Sequence, residues 1–185
     1  MSADEAEQPG PPDQITRWAL AARAGDPVAQ AAFVRATQAE VWRLAAALCS
    51  PEVADDLTQE TYLRAFRALA EFAGRSTART WLLGIARRVC ADHVRMLTRR
   101  RRLDALLSQL PVPRLTPDPV SGVAARDLLD RLSEERRSAF VLTQYLGLSY
   151  AEAAAVEGVP VGTIRSRVAR ARDDLIAALA ESQAS

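Results

Sequence analysis

The chain has 185 residues, with 24 basic side chains, all of them arginine, against 23 acids, for a net charge of +1. Nearly half of its residues are hydrophobic but only 5% are aromatic, which favours helices packed through alanine over a sheet-built core. No apolar run approaches the ~20 residues needed to span a bilayer, and the acidic N-terminus lacks a signal peptide's basic start, so a soluble cytoplasmic protein is expected.

The near-neutral total hides a strong asymmetry. Residues 1–74 hold 6 arginines and 11 acids, a net −5, whereas residues 75–102 hold 9 arginines and the single acid Asp92, a net +8. A concentrated positive block points to a polyanionic partner, and an acidic block beside it to a protein contact or to self-screening. Arginine used to the exclusion of lysine, with abundant alanine, suggests a GC-rich genome.

In chain order, residues 1–13 (MSADEAEQPGPPD) are acidic, proline-rich and aperiodic, as in a disordered tail. A helix from Ile15 carries Trp18, Leu20 and Ala21 up to the turn signal Gly25-Asp26-Pro27. A second helix has Phe33, Val41, Trp42, Leu44 and Leu48 as its apolar set and ends near Ser50-Pro51. In the next segment, Ala54, Leu57, Thr58, Thr61, Tyr62, Ala65, Phe66 and Leu69 share one side of a helix. Asp56, Gln59, Glu60, Leu63 and Arg67 share the other. A leucine among acids suits docking to a basic helix, although a solvated face would read the same way.

Residues 72–79 (FAGRSTAR) form a loop of small and polar residues opening on an aromatic. The helix predicted over Thr80–Thr98 has Trp81, Ile85, Val89 and Met96 as its inward stripe. Gly84, Arg87, Arg88, Ala91 and Arg95 cluster elsewhere, and small residues flanked by arginines suit close approach to a phosphate backbone. Trp81 reads either as core or as a base-stacking residue, and His93 as a partly buried structural one. Cys49 and Cys90 lack metal-ligand spacing and read as buried small hydrophobes. With one histidine and no nucleophile–base pairing, the sequence offers no catalytic constellation.

Arg99–Arg102 carry the positive charge into a linker that holds prolines 111, 113, 117 and 119. The helical blocks on either side are therefore expected to fold independently and to move relative to one another. A helix from Gly122 reaches Leu132, and Ser133 caps another that carries Phe140, Val141 and Tyr145 toward Gly147. The final stretch, from Ser149 to Leu179, is the most explicit. Ser149 and Glu152 make a capping box, Gly158 closes the helix in a left-handed conformation, and Pro160 prevents its continuation. A second helix from about Gly162 has Ile164, Val168, Ala171 and Leu175 as a buried seam. Thr163, Ser166, Arg167 and Arg170 lie opposite, with Arg165 and Arg172 on the flank. That is the layout of a helix-turn-helix, with the second helix sized for a major groove. No stretch reads as a strand.

DDLTQETYLRAF, STARTWLLGIARRVCADHVR and LSYAEAAAVEGVPVGTIRSRVARAR, in this order and spacing, resemble the extracytoplasmic-function group of bacterial sigma-70 family sigma factors. The resemblance covers residues 15–180 and implies an all-α protein of two small helical domains joined by a flexible linker. These would be a sigma-2 domain over 14–99, a linker over 100–121 and a sigma-4 domain with the helix-turn-helix over 122–182. It implies a non-catalytic factor that binds core RNA polymerase, through its beta and beta-prime subunits, and directs it to promoter DNA. An anti-sigma factor is left open as a further partner, and no cofactor is expected. By the same resemblance Asp56, Gln59, Glu60 and Leu63 would contact polymerase. Phe72, Arg75, Ser76, Thr77, Arg79, Arg87, Arg88 and Arg95 would hold −10 DNA, the loop capturing a flipped base. Gly162, Thr163, Arg165, Ser166, Arg167 and Arg170 would read the −35 element. Ala153 departs from the family pattern, where a larger aliphatic is usual, and implies a shallower packing contact. Two rivals are a regulator with the same C-terminal motif behind a receiver domain, and a nucleic-acid enzyme. The first is disfavoured by the lack of βα alternation in residues 1–100, the second by the lack of catalytic spacing.

Overall fold

A computed structural model describes residues 12–108 and 123–183, among which every regular element is helical. Helix α1, Gln14–Arg23, starts at Asp13, whose carboxylate accepts from the Thr16 N–H at 3.1 Å. Helix α2, Pro27–Leu48, is capped by Asp26 and uses Pro27 where a missing N–H costs nothing. Helix α3, Pro51–Ala68, begins on the same device and ends in a 3₁₀ turn, Leu69–Glu71. Helix α4, Ala78–Ser108, completes this first unit.

The first core is built by Phe33, Val41 and Leu44 of α2, Leu57 and Tyr62 of α3, and Leu82, Leu83 and Val89 of α4, all buried. Polar ties inside it are satisfied in pairs: Thr37 Oγ1 lies 2.7 Å from the Tyr62 hydroxyl, and Thr16 Oγ1 accepts the Ala78 N–H at 2.9 Å. The second tie fixes the start of α4 against α1, because a buried N–H without a partner is costly. The periodicity of α3 is realised as read. Ala54, Leu57, Thr61, Tyr62, Ala65 and Leu69 are buried, while Asp56, Gln59, Leu63 and Arg67 are exposed.

Helix α4 runs past the expected end at Thr98, through Arg99–Arg102. Arginine is a good helix former, and the prolines that stop a helix begin only at residue 111. The tail and linker expectations fall largely on residues 1–11 and 109–122, outside the described residues.

The second unit contains α5, Val123–Asp130, and α6, Glu134–Phe140, which continues into a π-helical turn, Val141–Tyr145. Helices α7, Tyr150–Glu157, and α8, Val161–Gln183, follow. Both halves of the capping box at Ser149 and Glu152 are made, and Gly158 takes φ 68°, the left-handed turn that lets α8 leave at an angle. Ile164, Val168 and Ala171 are buried, with Leu175 half-buried at the end of the seam. Ala153 is fully buried in this packing.

The two units are closed upon one another. Gly84 of α4 lies under α7, where an added Cβ would meet the Val156 carbonyl oxygen at 3.8 Å. Arg79 donates to the Leu146 carbonyl at 2.8 Å, and Arg126 of α5 to the Ala46 carbonyl of α2 at 2.8 Å. The two blocks expected to fold separately are thus in contact in this structure. A proline-rich connection says how far two units can travel, but not whether their surfaces fit. This closure also explains why the α4 stripe was drawn too narrow. Leu82, Leu83, Ala86 and Cys90 are buried besides Ile85 and Val89, since α4 is covered on two sides, whereas Met96 is exposed. Among the described residues no helix is long and apolar enough to cross a membrane.

Candidate nucleic-acid and protein-docking interface

The outer face of α3 gathers the four residues expected to dock on polymerase. Asp56 and Gln59 are exposed, and Leu63 is 55% exposed despite its apolar side chain. Glu60 is half-buried because Arg64 grips it at 2.7 Å, and Arg64 in turn donates to Asp92 at 2.6 Å. Gln59 and Leu63 also border a groove of ≈ 450 Å³ between α2 and α3, floored by Val34, Tyr62 and Phe66. Thr58 Oγ1 is buried at this groove with no hydrogen-bond partner. The sequence hinted at an acid-and-leucine face; the groove behind it depends on the α2–α3 crossing and has no local signal.

The eight residues expected at −10 DNA are divided by the structure. Arg75, Ser76 and Arg88 are exposed, as is Arg95, which pairs with Asp92 at 2.5 Å. Arg64 and Arg95 together hold the Asp92 carboxyl below the usual carboxylate range. Thr77 is committed to a helix start: its hydroxyl accepts from the Thr80 N–H at 3.2 Å. Phe72 is buried and packs on Trp81, with ring centroids 4.8 Å apart. In this arrangement the buried Phe72 is not free to receive a base, while Trp81 is half-buried. Arg79 clasps Glu40 of α2 with two nitrogens, at 2.9 and 2.5 Å. Arg87 donates through Nε to Glu157 at 3.0 Å and pairs with Glu134 at 3.1 Å, so it holds the second unit.

Glu157 is the hub of that seam and was not singled out in the sequence. Its carboxylate is 4% exposed, accepts from Arg87, also accepts a short hydrogen bond from the Ser138 hydroxyl, and lies 3.7 Å from Arg167. Such a buried carboxylate is tolerable only because cations and a hydroxyl surround it. The −35 set is otherwise presented outward by the first turns of α8. Gly162, Arg165, Ser166 and Arg170 are exposed, Thr163 is half-buried, and Arg167 is turned toward Glu157. Ser166 Oγ donates to the Thr163 carbonyl at 2.9 Å, and Arg172 reaches Gln144 at 2.7 Å. A Cβ at Gly162 would meet nothing within 4 Å, so the fold itself does not require glycine there.

Among the described residues no group of three or more His, Cys, Asp or Glu is placed to hold a metal. What the surfaces share is arginine presented by helices, backed by small residues, next to an acidic docking face.

Residues 28–100 match the family described as Sigma-70 region 2, and residues 123–175 match Sigma-70, region 4. The chain belongs to the sigma-70 family of RNA polymerase sigma factors, in its extracytoplasmic-function group. It is 50% identical over 171 residues to the ECF RNA polymerase sigma factor SigC of Mycobacterium tuberculosis, covering 89% of this chain and 91% of that one. It is 36% identical over 177 residues to the ECF RNA polymerase sigma factor SigE of Mycolicibacterium smegmatis, covering 89% and 68%. Among solved structures it resembles CnrH in complex with the cytosolic domain of CnrY, with a TM-score of 0.73 and 27% identity over 91% of this chain and 99% of that one. It also resembles the sigma factor RpoE in complex with the anti-sigma factor NepR from Bartonella quintana. There the TM-score is 0.64 and the identity 28%, over 77% and 91% of the two chains.

Proposed function

We propose that this sigma factor docks on core RNA polymerase through the outer face of α3 and reads promoter DNA with two separate helical surfaces. The exposed residues before and along α4, Arg75, Ser76, Arg88 and Arg95, take the −10 strand. The first turns of α8 enter the major groove at −35, with Arg165 and Ser166 toward base edges. The chemistry of this chain is recognition and strand opening, and the phosphoryl transfer is the polymerase's own. The observation that carries the reading is α8. Its buried seam of Ile164, Val168 and Ala171 fixes the helix, and the outward side offers Arg165, Ser166 and Arg170, which no described residue covers.

Gly162 adds to it, because open space outside this glycine suits a helix start pressed against DNA. Arginine donating bidentately to guanine is worth about 1–3 kcal/mol of discrimination. Promoter-variant binding at two salt concentrations tests the assignment. Arg165→Ala should flatten preference at particular −35 bases and leave the other positions unchanged. Base-preference profiles that superimpose on wild type would remove Arg165 from the readers.

In the closed arrangement Arg79 and Arg87 are occupied by Glu40 and by Glu157 with Glu134, so they become available to DNA only if the units separate. A partner of the anti-sigma type is supported by a cleft of ≈ 530 Å³ between the units, lined by Trp42, Leu129, Tyr145 and Leu175 among others. Tyr145 is 56% exposed beside it, an apolar surface a partner helix would cover.

A further inference from the structure

The two cysteines stand 41 positions apart in sequence, yet the fold brings them together at the seam between the units. Cys49 is the residue that ends α2, its N–H donating to the Ala45 carbonyl at 2.8 Å. Cys90 lies in the middle of α4, 2% exposed. The Cys49 Sγ approaches the Cys90 carbonyl oxygen at 3.8 Å, which puts the two residues in direct contact.

Their surroundings are asymmetric and electropositive. Cys49 is only half-buried and feels the guanidinium groups of Arg126 and Arg137, both contributed by the second unit, against the single acid Glu134. Cys90 borders a cavity of ≈ 90 Å³ together with Arg87, Glu134, Arg137 and Ser138, whereas Cys49 lies outside it and is half-exposed to solvent, from which an oxidant would reach it. The Nε of Arg137 is buried there without a hydrogen-bond partner, a donor with spare capacity beside the thiols. Its NH1 is engaged by Asp130 at 2.7 Å, which fixes the guanidinium in place.

We propose that Cys49 and Cys90 form a reversible dithiol–disulfide site, with Cys49 the attacking thiol, Cys90 the resolving one, and hydrogen peroxide the oxidant. The hydrogen bond from Cys90, and then Arg126 and Arg137, draw the Cys49 thiol below its ordinary range, while its bond to Cys49 and its burial push Cys90 up. Partial exposure and neighbouring arginines are the conditions under which a thiol reacts. The Cys49 thiolate attacks one peroxide oxygen, the O–O bond breaks, and hydroxide leaves to take up the proton Cys49 had released. Cys49 becomes a sulfenic acid. The Cys90 sulfur then displaces its oxygen, which departs as water with the Cys90 proton. Two thiols and one peroxide give one disulfide and two waters. The bond ties the end of α2 to the middle of α4, beneath the helix the second unit rests on.

Hydrogen peroxide applied to the reduced full-length chain, followed by thiol titration, intact mass and peptide mapping, decides the matter. The expected result is a fall from two titratable thiols per chain to none, the loss of two hydrogen atoms in mass, a Cys49–Cys90 cross-linked peptide, and full recovery with dithiothreitol. In Cys90→Ser, Cys49 should be trapped as a sulfenic acid by dimedone, whereas in Cys49→Ser the remaining thiol should survive the same exposure. Arg137→Ala should slow alkylation of Cys49 at neutral pH several-fold. Two thiols that persist in the wild-type chain, a dimer linked through Cys49, or direct passage to sulfinic acid with no internal bond would each overturn the proposal. The wild-type measurement suffices for this even if a variant folds poorly.

Discussion

Glu157 is the most informative single residue to perturb. Its carboxylate is 4% exposed, and it is the principal countercharge of Arg87, whose own side chain is 16% exposed. Removing one partner of a buried pair costs about 3–5 kcal/mol, because the other charge is stranded. Glu134 still faces Arg87 at 3.1 Å, from a position 48% exposed, so the low end applies. A change of about 3 kcal/mol corresponds to a shift of roughly two orders of magnitude in an equilibrium. Arg87 belongs to the first unit and Glu157 to the second, so the chain can relieve the stranded charge by opening the seam, without unfolding either core. Glu157→Gln keeps the size and the acceptor for Ser138 while deleting the charge. The radius of gyration from small-angle scattering should rise toward that of two tethered units, and the urea midpoint should fall. A variant whose scattering curve and midpoint both match wild type would refute the view that this pair holds the units together.

Three further outcomes follow from the same geometry. Asp56→Lys with Glu60→Lys should weaken association with core polymerase while costing only about 1 kcal/mol of stability, since Asp56 is exposed and the half-buried Glu60 gives up a partly exposed pair with Arg64. A large drop in melting temperature would make those side chains structural. At Glu152, hydrogen bonds led by the Ser149 N–H hold the carboxyl below its usual range. A lowered folded-state value means its stabilisation is complete above the ordinary glutamate range, about 4.3, and disappears as pH falls through the folded value. Glu152→Gln should therefore melt below wild type at neutral pH and converge with it in acid, and a gap independent of pH would contradict the capping role. Thr16→Val should cost about 1–3 kcal/mol, because it leaves the buried Ala78 N–H without its acceptor. Denaturant unfolding that shows no loss would exclude that tie.

How much of this was legible in the sequence depends on how far each interaction reaches. Ser149 with Glu152 and the bend at Gly158 act over three or four residues, and each is found where the sequence placed it. The inner face of α3 and the seam of α8 follow from helical period alone. The long-range features had no such signal. Glu157 meets Arg87 across 70 positions and Arg79 meets Glu40 across 39, so two arginines read as free for phosphate are already committed in this arrangement. Phe72 illustrates the same limit: the resemblance placed it at −10 DNA, yet the half-buried Trp81, one turn into α4, supplies it with a packing partner. The cysteines read as buried small hydrophobes because their spacing fits no metal, and only the α2–α4 crossing brings the Cys49 sulfur onto the Cys90 backbone. Residues 100–102 erred in the other direction, since the linker drawn around the prolines was extended back over a stretch where helix propensity continued α4.

Run-off transcription with purified core polymerase, with and without this protein, over a promoter library tests the central claim most directly. Specific initiation should depend on the protein, select templates sharing a −35 and a −10 element, and be lost with the Asp56 and Glu60 reversal. Initiation at the same sites without it, or no selected sequence at all, would contradict the account.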